Sequence, residues 1–145
     1  MVLDSNEIGV IDFQDAVIGP ITYDLVSLYK DCYISWPRHK LEQWVEEYRQ
    51  LAVARLELPI AASEDFLKQF DLMGLQRHLK VLGIFARLSL RDGKTGYLKD
   101  LPLVVAYVRE TCQQYPEFAA FDEWFETTLQ PLIAKQSWNS VEGNA

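Results

Sequence analysis

The sequence has only two cysteines in 145 residues, no apolar run long enough to cross a bilayer, and no excess of positive charge. Each shortage excludes something. Cys32 and Cys112 stand far apart with no metal-ligand spacing around them, which argues against a disulfide or a zinc site and points to two reduced core or helix-face thiols. A membrane-crossing helix needs about 20 consecutive apolar residues, and the N-terminus lacks the basic-then-apolar pattern of an export signal. The expectation is a cytoplasmic protein with no membrane partner. Fourteen Lys and Arg face 21 Asp and Glu, a net charge of -7, so a nucleic-acid partner is not expected. Repeats, low-complexity blocks and Gly/Ser linkers are also missing. One unit over residues 1–136 follows, ended by a polar tail over 137–145.

What is present is enough apolar residues to build a core, 49% of the chain. Two short apolar runs, Met1–Leu3 and Ile8–Asp12, flank the turn-forming Asp4-Ser5-Asn6-Glu7, and predict a β-hairpin over the first thirteen residues. After Gly19-Pro20 the apolar period becomes helical and stays so. Leu25, Val26, Leu28, Tyr29 and Cys32 make one face, to about residue 33, before Trp36-Pro37. Leu41, Trp44, Val45, Tyr48, Leu51, Ala52 and Leu56 make a second, ended by Pro59. Ser63 is a candidate N-cap, with Glu64 and Asp65 at the positive end of the helix dipole. That helix runs to Asp92-Gly93, with an interruption expected near Gly74. Asp100 and Pro102 start a further helix, which stops before Pro116. A last one begins near Asp122 and is ended or kinked by Pro131. The fold class is therefore mainly α: a short N-terminal hairpin followed by a four- to five-helix bundle.

The run Ile8-Gly9-Val10-Ile11-Asp12-Phe13 climbs through apolar residues to an acid, with Asp15 three positions further on. Two readings stand side by side. Asp12 closes an Asx-type turn through its own backbone, or it points from a rigid strand end at a metal-bound phosphate, with Asp15 as helper. The chemistry suffices for the second, because magnesium on a nucleotide needs only one or two protein carboxylates.

The wider pattern of Ile11-Asp12-Phe13, then Gly19-Pro20, then Tyr23-Asp24-Leu25 resembles the aminoglycoside phosphotransferase and choline kinase-like branch of the protein-kinase-like fold. That branch carries I-D-F, several residues, G-x-P and a closing D-L. The segment Gln76-Arg77-His78-Leu79-Lys80-Val81-Leu82-Gly83-Ile84-Phe85-Ala86-Arg87-Leu88 is similar to that of bacterial N-acetylmuramate/N-acetylglucosamine anomeric kinases. The resemblance implies the C-terminal, substrate-binding lobe of a kinase that uses ATP and Mg2+ to phosphorylate a hydroxyl of a sugar or amino sugar in cell-wall recycling. It places Asp12 as the ligand of the Mg2+ that bridges the nucleotide phosphates, and Asp24 as the acid that braces the catalytic loop. Asp15 has no fixed role there. Gln14 stands where many kinases have glycine.

The front of the pattern departs from the family. A catalytic loop of the form H-x-D-x-x-x-x-N, which supplies the base for the substrate hydroxyl, should come shortly before the metal aspartate. Only seven residues precede Ile8, and none is His. The β-rich lobe with its ATP-cradling lysine has no counterpart either. Phosphoryl transfer depends on these parts acting together. The chain is therefore expected to be the C-terminal portion of a kinase, inactive alone, with no catalytic residue of its own. The alternative is a non-catalytic helical interaction module derived from a kinase, whose uncovered apolar surface would favour a homo-oligomer.

Secondary candidates carry less. Asp31 lies seven residues after Asp24, on the same helix face. Together with Trp36 it offers an acceptor for sugar hydroxyls and a ring to stack, although an aromatic beside a helix break also serves a core. Arg77, His78 and Lys80 form a basic cluster that would face an acidic substrate group, or simply solvent. His78 lacks an orienting partner that would make it a general base. Gly93-Lys94-Thr95-Gly96 lacks the spacing of a phosphate loop and reads as a turn between helices.

Overall fold

Thirty residues, Ser63–Asp92, form one unbroken helix, α3, around which the other elements are arranged. The computed structural model describes residues 17–56 and 59–139. At about 1.5 Å per residue, α3 is roughly 45 Å long. Its N-terminal half is packed by α1 (Thr22–Tyr29) and α2 (Arg38–Arg55). A 3-10 segment, Thr95–Asp100, turns the chain back into α4 (Leu101–Gln114), which lies along α3. After a short 3-10 turn, α5 (Ala119–Trp124) and α6 (Gln130–Ile133) are joined by a π-helical turn over Phe125–Leu129. The described residues are helical or irregular and include no strand. The hairpin expected over residues 1–13 lies outside them.

Apolar burial falls into three clusters along α3. Leu25, Val26, Val45, Phe66 and Phe70 join α1, α2 and the start of α3. Cys32, Phe85, Leu101 and Val104 join the α1–α2 loop to the end of α3 and the start of α4. Leu75, Val108, Cys112 and Phe125 seat the C-terminal helices. Both cysteines are buried and free. No helix among the described residues is long and apolar enough to cross a membrane.

Several boundaries differ from the sequence expectation, each for a local reason. Helix α1 ends at Tyr29 rather than near residue 33, because Lys30 leaves helical geometry at φ -117° and ψ 45°. The break expected near Gly74 is absent: Gly74 is buried in mid-helix beside Lys30, His78 and Val26, and the helix runs through it. Ser63 is the first helical residue rather than the cap, and its hydroxyl donates to Glu46 of α2 at 2.7 Å. Gly93 ends α3 at φ 66°, and the Lys94 N–H donates back to the Leu88 carbonyl, the left-handed stop that glycine favours.

The last helical stretch starts at Ala119, earlier than expected, and of the two outcomes expected at Pro131 the helix is distorted and not ended. Proline lacks the N–H for the preceding turn and its ring crowds the carbonyl four residues back, so the backbone widens into a π turn immediately before it. At the start of the expected tail, Trp138 packs against the cluster of Phe85, Leu101 and Val104.

Candidate functional site

A lysine and an aspartate with no exposed side-chain surface face each other in the middle of this bundle. Lys30, just past α1, places its Nζ 3.6 Å from Asp71 Oδ1 of α3 and 3.7 Å from Glu110 Oε2 of α4. Both separations exceed a hydrogen bond, and Lys30 Nζ makes none among the described residues. Its charge is met instead by the two carboxylates and by the ring faces of Tyr107, at 5.2 Å, and Phe70, at 6.0 Å. Asp71 is more fully bound. Arg38 donates to both of its oxygens at 2.8 Å, and the Tyr115 hydroxyl donates to Oδ2 at 2.8 Å. Arg38 also donates to Glu42 Oε1 at 2.8 Å, so the two cations are met by three carboxylates, Asp71, Glu110 and Glu42, which is how buried charge is made tolerable.

Arg38 is the first residue of α2, where a cation opposes the helix dipole. The bidentate bond to Asp71 supplies what that position lacks. Burial and Asp71 act in the same direction on Tyr115 and hold its phenol above the ordinary range.

The cluster lies beneath the loop that joins α1 to α2, and fixes it. His78 Nε2 is 2.9 Å from the Lys30 carbonyl. A carbonyl only accepts, so Nε2 carries the proton and Nδ1 is left as a bare, buried lone pair with no partner among the described residues. Burial, together with the charges of Lys30 and Arg77, drives the imidazole down to about 4. The ring also stacks on Tyr107, with centroids 4.7 Å apart. The Tyr107 hydroxyl donates to the Ile34 carbonyl at 2.5 Å, and burial raises its phenol. Within the loop, Asp31 Oδ1 accepts from the Cys32 N–H at 2.8 Å.

The sequence-predicted residues are spread around this framework. Asp12 and Asp15 lie outside the described residues. Asp24 is exposed in the first turn of α1 and makes no side-chain bond among the described residues. Asp31 is half-buried on the loop. Trp36 is half-buried too, set edge-on against Trp44 at 5.2 Å. Arg77 lies over the Tyr23 ring at 6.0 Å. His78 is buried and Lys80 is exposed, so the three basic residues do not share one surface. No three His, Cys, Asp or Glu side chains among the described residues converge to hold a metal ion.

No sequence motif singles out Lys30, Arg38, Asp71, Tyr107 or Tyr115. One signal was available: Lys30 falls four residues after the buried Val26, and Asp71 falls between Phe70 and Gly74, so opposite charges interrupt two apolar stripes. Away from this cluster, an open groove of about 410 Å³ runs between α4 and α5, lined by Cys112, Tyr115, Asp122 and Glu126 among others. Arg109 pairs with both of those acids there.

The profile of the phosphotransferase enzyme family matches residues 1–67. Over those residues the chain is similar to that family. Its relatives narrow the class. It is 51% identical over 116 residues to the N-acetylmuramate/N-acetylglucosamine kinase of Pseudomonas putida, covering 79% of this chain and 34% of that protein. Against the enzyme of the same description from Pseudomonas aeruginosa it is 46% identical over 124 residues, 85% of this chain and 36% of the relative. The Neisseria meningitidis counterpart is 45% identical over 120 residues, 82% of this chain and 36% of the relative. The chain thus spans about one third of the length of the curated relatives it matches. No solved structure matches it significantly.

Proposed function

We propose that this chain is the C-terminal portion of an ATP-dependent phosphotransferase that phosphorylates a hydroxyl of an amino sugar of the N-acetylmuramate or N-acetylglucosamine class. The observation that carries this reading is identity of 45–51% to kinases of that description over most of the chain. The I-D-F run at residues 11–13 adds the chemistry of a magnesium site, which one or two carboxylates and the nucleotide phosphates can complete. Asp12 would hold the metal, with Asp15 as a helper, and Mg2+ would neutralise charge on the transferred phosphoryl group. Asp24 would brace the catalytic loop. This chain would not transfer phosphate alone, since base, lysine and nucleotide lobe all belong to the remaining two thirds of such an enzyme.

The test is ADP release by the complete protein with ATP and Mg2+, with and without each sugar. Sugar-dependent turnover that is lost in Asp12→Ala is the expected result. Turnover unchanged by Asp12→Ala would remove the central residue, and absence of turnover with either sugar would remove the reading.

A second reading, association without catalysis, has its own observation. Val17, Ile18 and Leu28 are largely exposed apolar side chains, a surface that favours a partner. Light scattering on the isolated chain distinguishes the two: a stable dimer with no effect of Mg2+ on stability supports the module, and a monomer does not.

A further inference from the structure

We infer that Tyr33 is the aromatic platform for the sugar ring, and that Tyr107 and Asp71 are positioning residues that hold its loop in shape; the inference rests on the sugar-kinase reading above. The loop between α1 and α2 has no regular structure, and segments of that kind normally fluctuate. Here the chain is tied at three points from two helices. His78 of α3 holds the Lys30 carbonyl, Tyr107 of α4 holds the Ile34 carbonyl, and Asp71 of α3 holds Arg38 where the loop runs into α2. Between the ties, Cys32 is buried among Phe85, Leu101 and Val104.

Above the ties, the Tyr33 side chain meets Cys32 and still keeps more than half of its surface exposed. Tyr33 is 59% exposed and Ile34 38% exposed. Trp36, the other ring in the loop, is already committed to Trp44. Of the two loop aromatics, Tyr33 is thus the one with a free face for the apolar side of a sugar, and Asp31, half-buried beside it, has a second carboxylate oxygen to accept a hydroxyl.

Energetics support a geometric role for the buried charges. An ion cluster of this kind is commonly no more stabilising than apolar residues of the same volume. What it does supply is a fixed geometry: bidentate bonds to Arg38 allow one orientation. A ligand that meets a fixed loop loses less freedom on binding than one that must order it.

The test uses the complete protein and steady-state kinetics with N-acetylglucosamine. Tyr107→Phe removes one hydroxyl and keeps the ring that packs on Lys30 and His78. Tyr33→Ala removes the platform, and Tyr33→Trp restores a ring. The expected result is a rise of about fivefold or more in the KM for sugar in Tyr107→Phe and Tyr33→Ala, the scale of one lost contact. The kcat and the KM for ATP stay within about twofold, and Tyr33→Trp recovers. A fall in kcat with the sugar KM unchanged is what mere loss of folded protein would give, and overturns the inference. Independently of turnover, amide exchange at Cys32 and Ile34 should quicken in Tyr107→Phe while α3 stays protected; unchanged exchange overturns the clamp. Absence of sugar-dependent turnover in the unaltered protein would strike the functional reading first, an outcome distinct from either.

Discussion

Asp71 holds Arg38 through two parallel hydrogen bonds of 2.8 Å and leaves Lys30, 3.6 Å away, with none. The carboxylate, not the ammonium, is therefore the hub of the buried cluster. Removing it leaves Lys30 facing Glu110 alone at 3.7 Å and Arg38 bonded to Glu42 alone, whereas removing Lys30 leaves Asp71 still bound by Arg38 and Tyr115. Breaking a buried pair from one side costs about 3–5 kcal/mol, while an apolar replacement of similar volume is often neutral. Asp71→Asn is expected to lose stability on that scale, and Lys30→Met to stay within about 1 kcal/mol of the parent. Urea denaturation of the two variants checks the asymmetry. Equal losses would mean that the Lys30 charge holds the cluster together.

Acid stability should be set first by His78. Its folded value of about 4 lies below the ordinary 6.5, principally through burial. The unfolded state therefore binds the proton between those limits, so stability rises with pH across the window and is lost as pH falls from 6.5 toward 4. The full shift corresponds to on the order of 3 kcal/mol. Glu46 acts lower down. Arg49, Ser63 and Gln50 hold its carboxyl at about 2, so its contribution is present above about 4.5 and disappears only below it. Thermal midpoints followed from pH 7 to pH 4 should fall, and His78→Gln, which keeps a donor for the Lys30 carbonyl, should flatten that fall. A slope unchanged in the variant would place the titration elsewhere.

The apolar stripes make the helices legible in the sequence: α2, α3 and α4 stand close to where the spacing puts them. The loop over residues 30–37 is legible only as a break. Its shape depends on contacts between residues 33 to 73 positions apart in the chain, Arg38 with Asp71 at one extreme and Tyr107 with Ile34 at the other, and no local pattern encodes them. Arg77, His78 and Lys80 show the converse failure. Adjacent basic residues read as one cluster, but a helix turns about 100° per residue, so His78 faces the core while Lys80 faces away. The family is legible because Ile11-Asp12-Phe13 and Tyr23-Asp24-Leu25 are local strings.

Gly74, inside α3, and Gly93, at its end, should respond in opposite senses to alanine. At Gly93 the backbone sits at φ 66°, where a Cβ costs about 1–2 kcal/mol. At Gly74 the backbone is helical, and a Cβ would meet Lys30 Cδ at 3.7 Å and His78 Cε1 at 3.8 Å, ordinary contact distances. Alanine is then favoured by about 1 kcal/mol of helix propensity. Denaturation midpoints should fall for Gly93→Ala and rise for Gly74→Ala. A fall at Gly74 would show that α1 and α3 approach more closely than these distances indicate.

Substitution at Asp24 tests the proposed catalytic-loop role apart from folding. Asp24 is exposed in the first turn of α1 and makes no side-chain bond among the described residues, so its only folding contribution there is a favourable position on the helix dipole, about 0.3–1 kcal/mol. Asp24→Asn removes the charge at almost constant shape, and the denaturation midpoint of this chain should move by no more than that. A residue that braces the catalytic loop of a complete enzyme would behave differently in the complete protein, because misplacing reacting groups by about 1 Å can cost about 100-fold in rate. On the proposed kinase reading, the expected outcome is a chain of nearly unchanged stability and a complete protein with a kcat reduced by about tenfold or more. Unchanged kcat would confine Asp24 to the helix end, and a large loss of stability in the isolated chain would show that its carboxylate is already engaged within these residues.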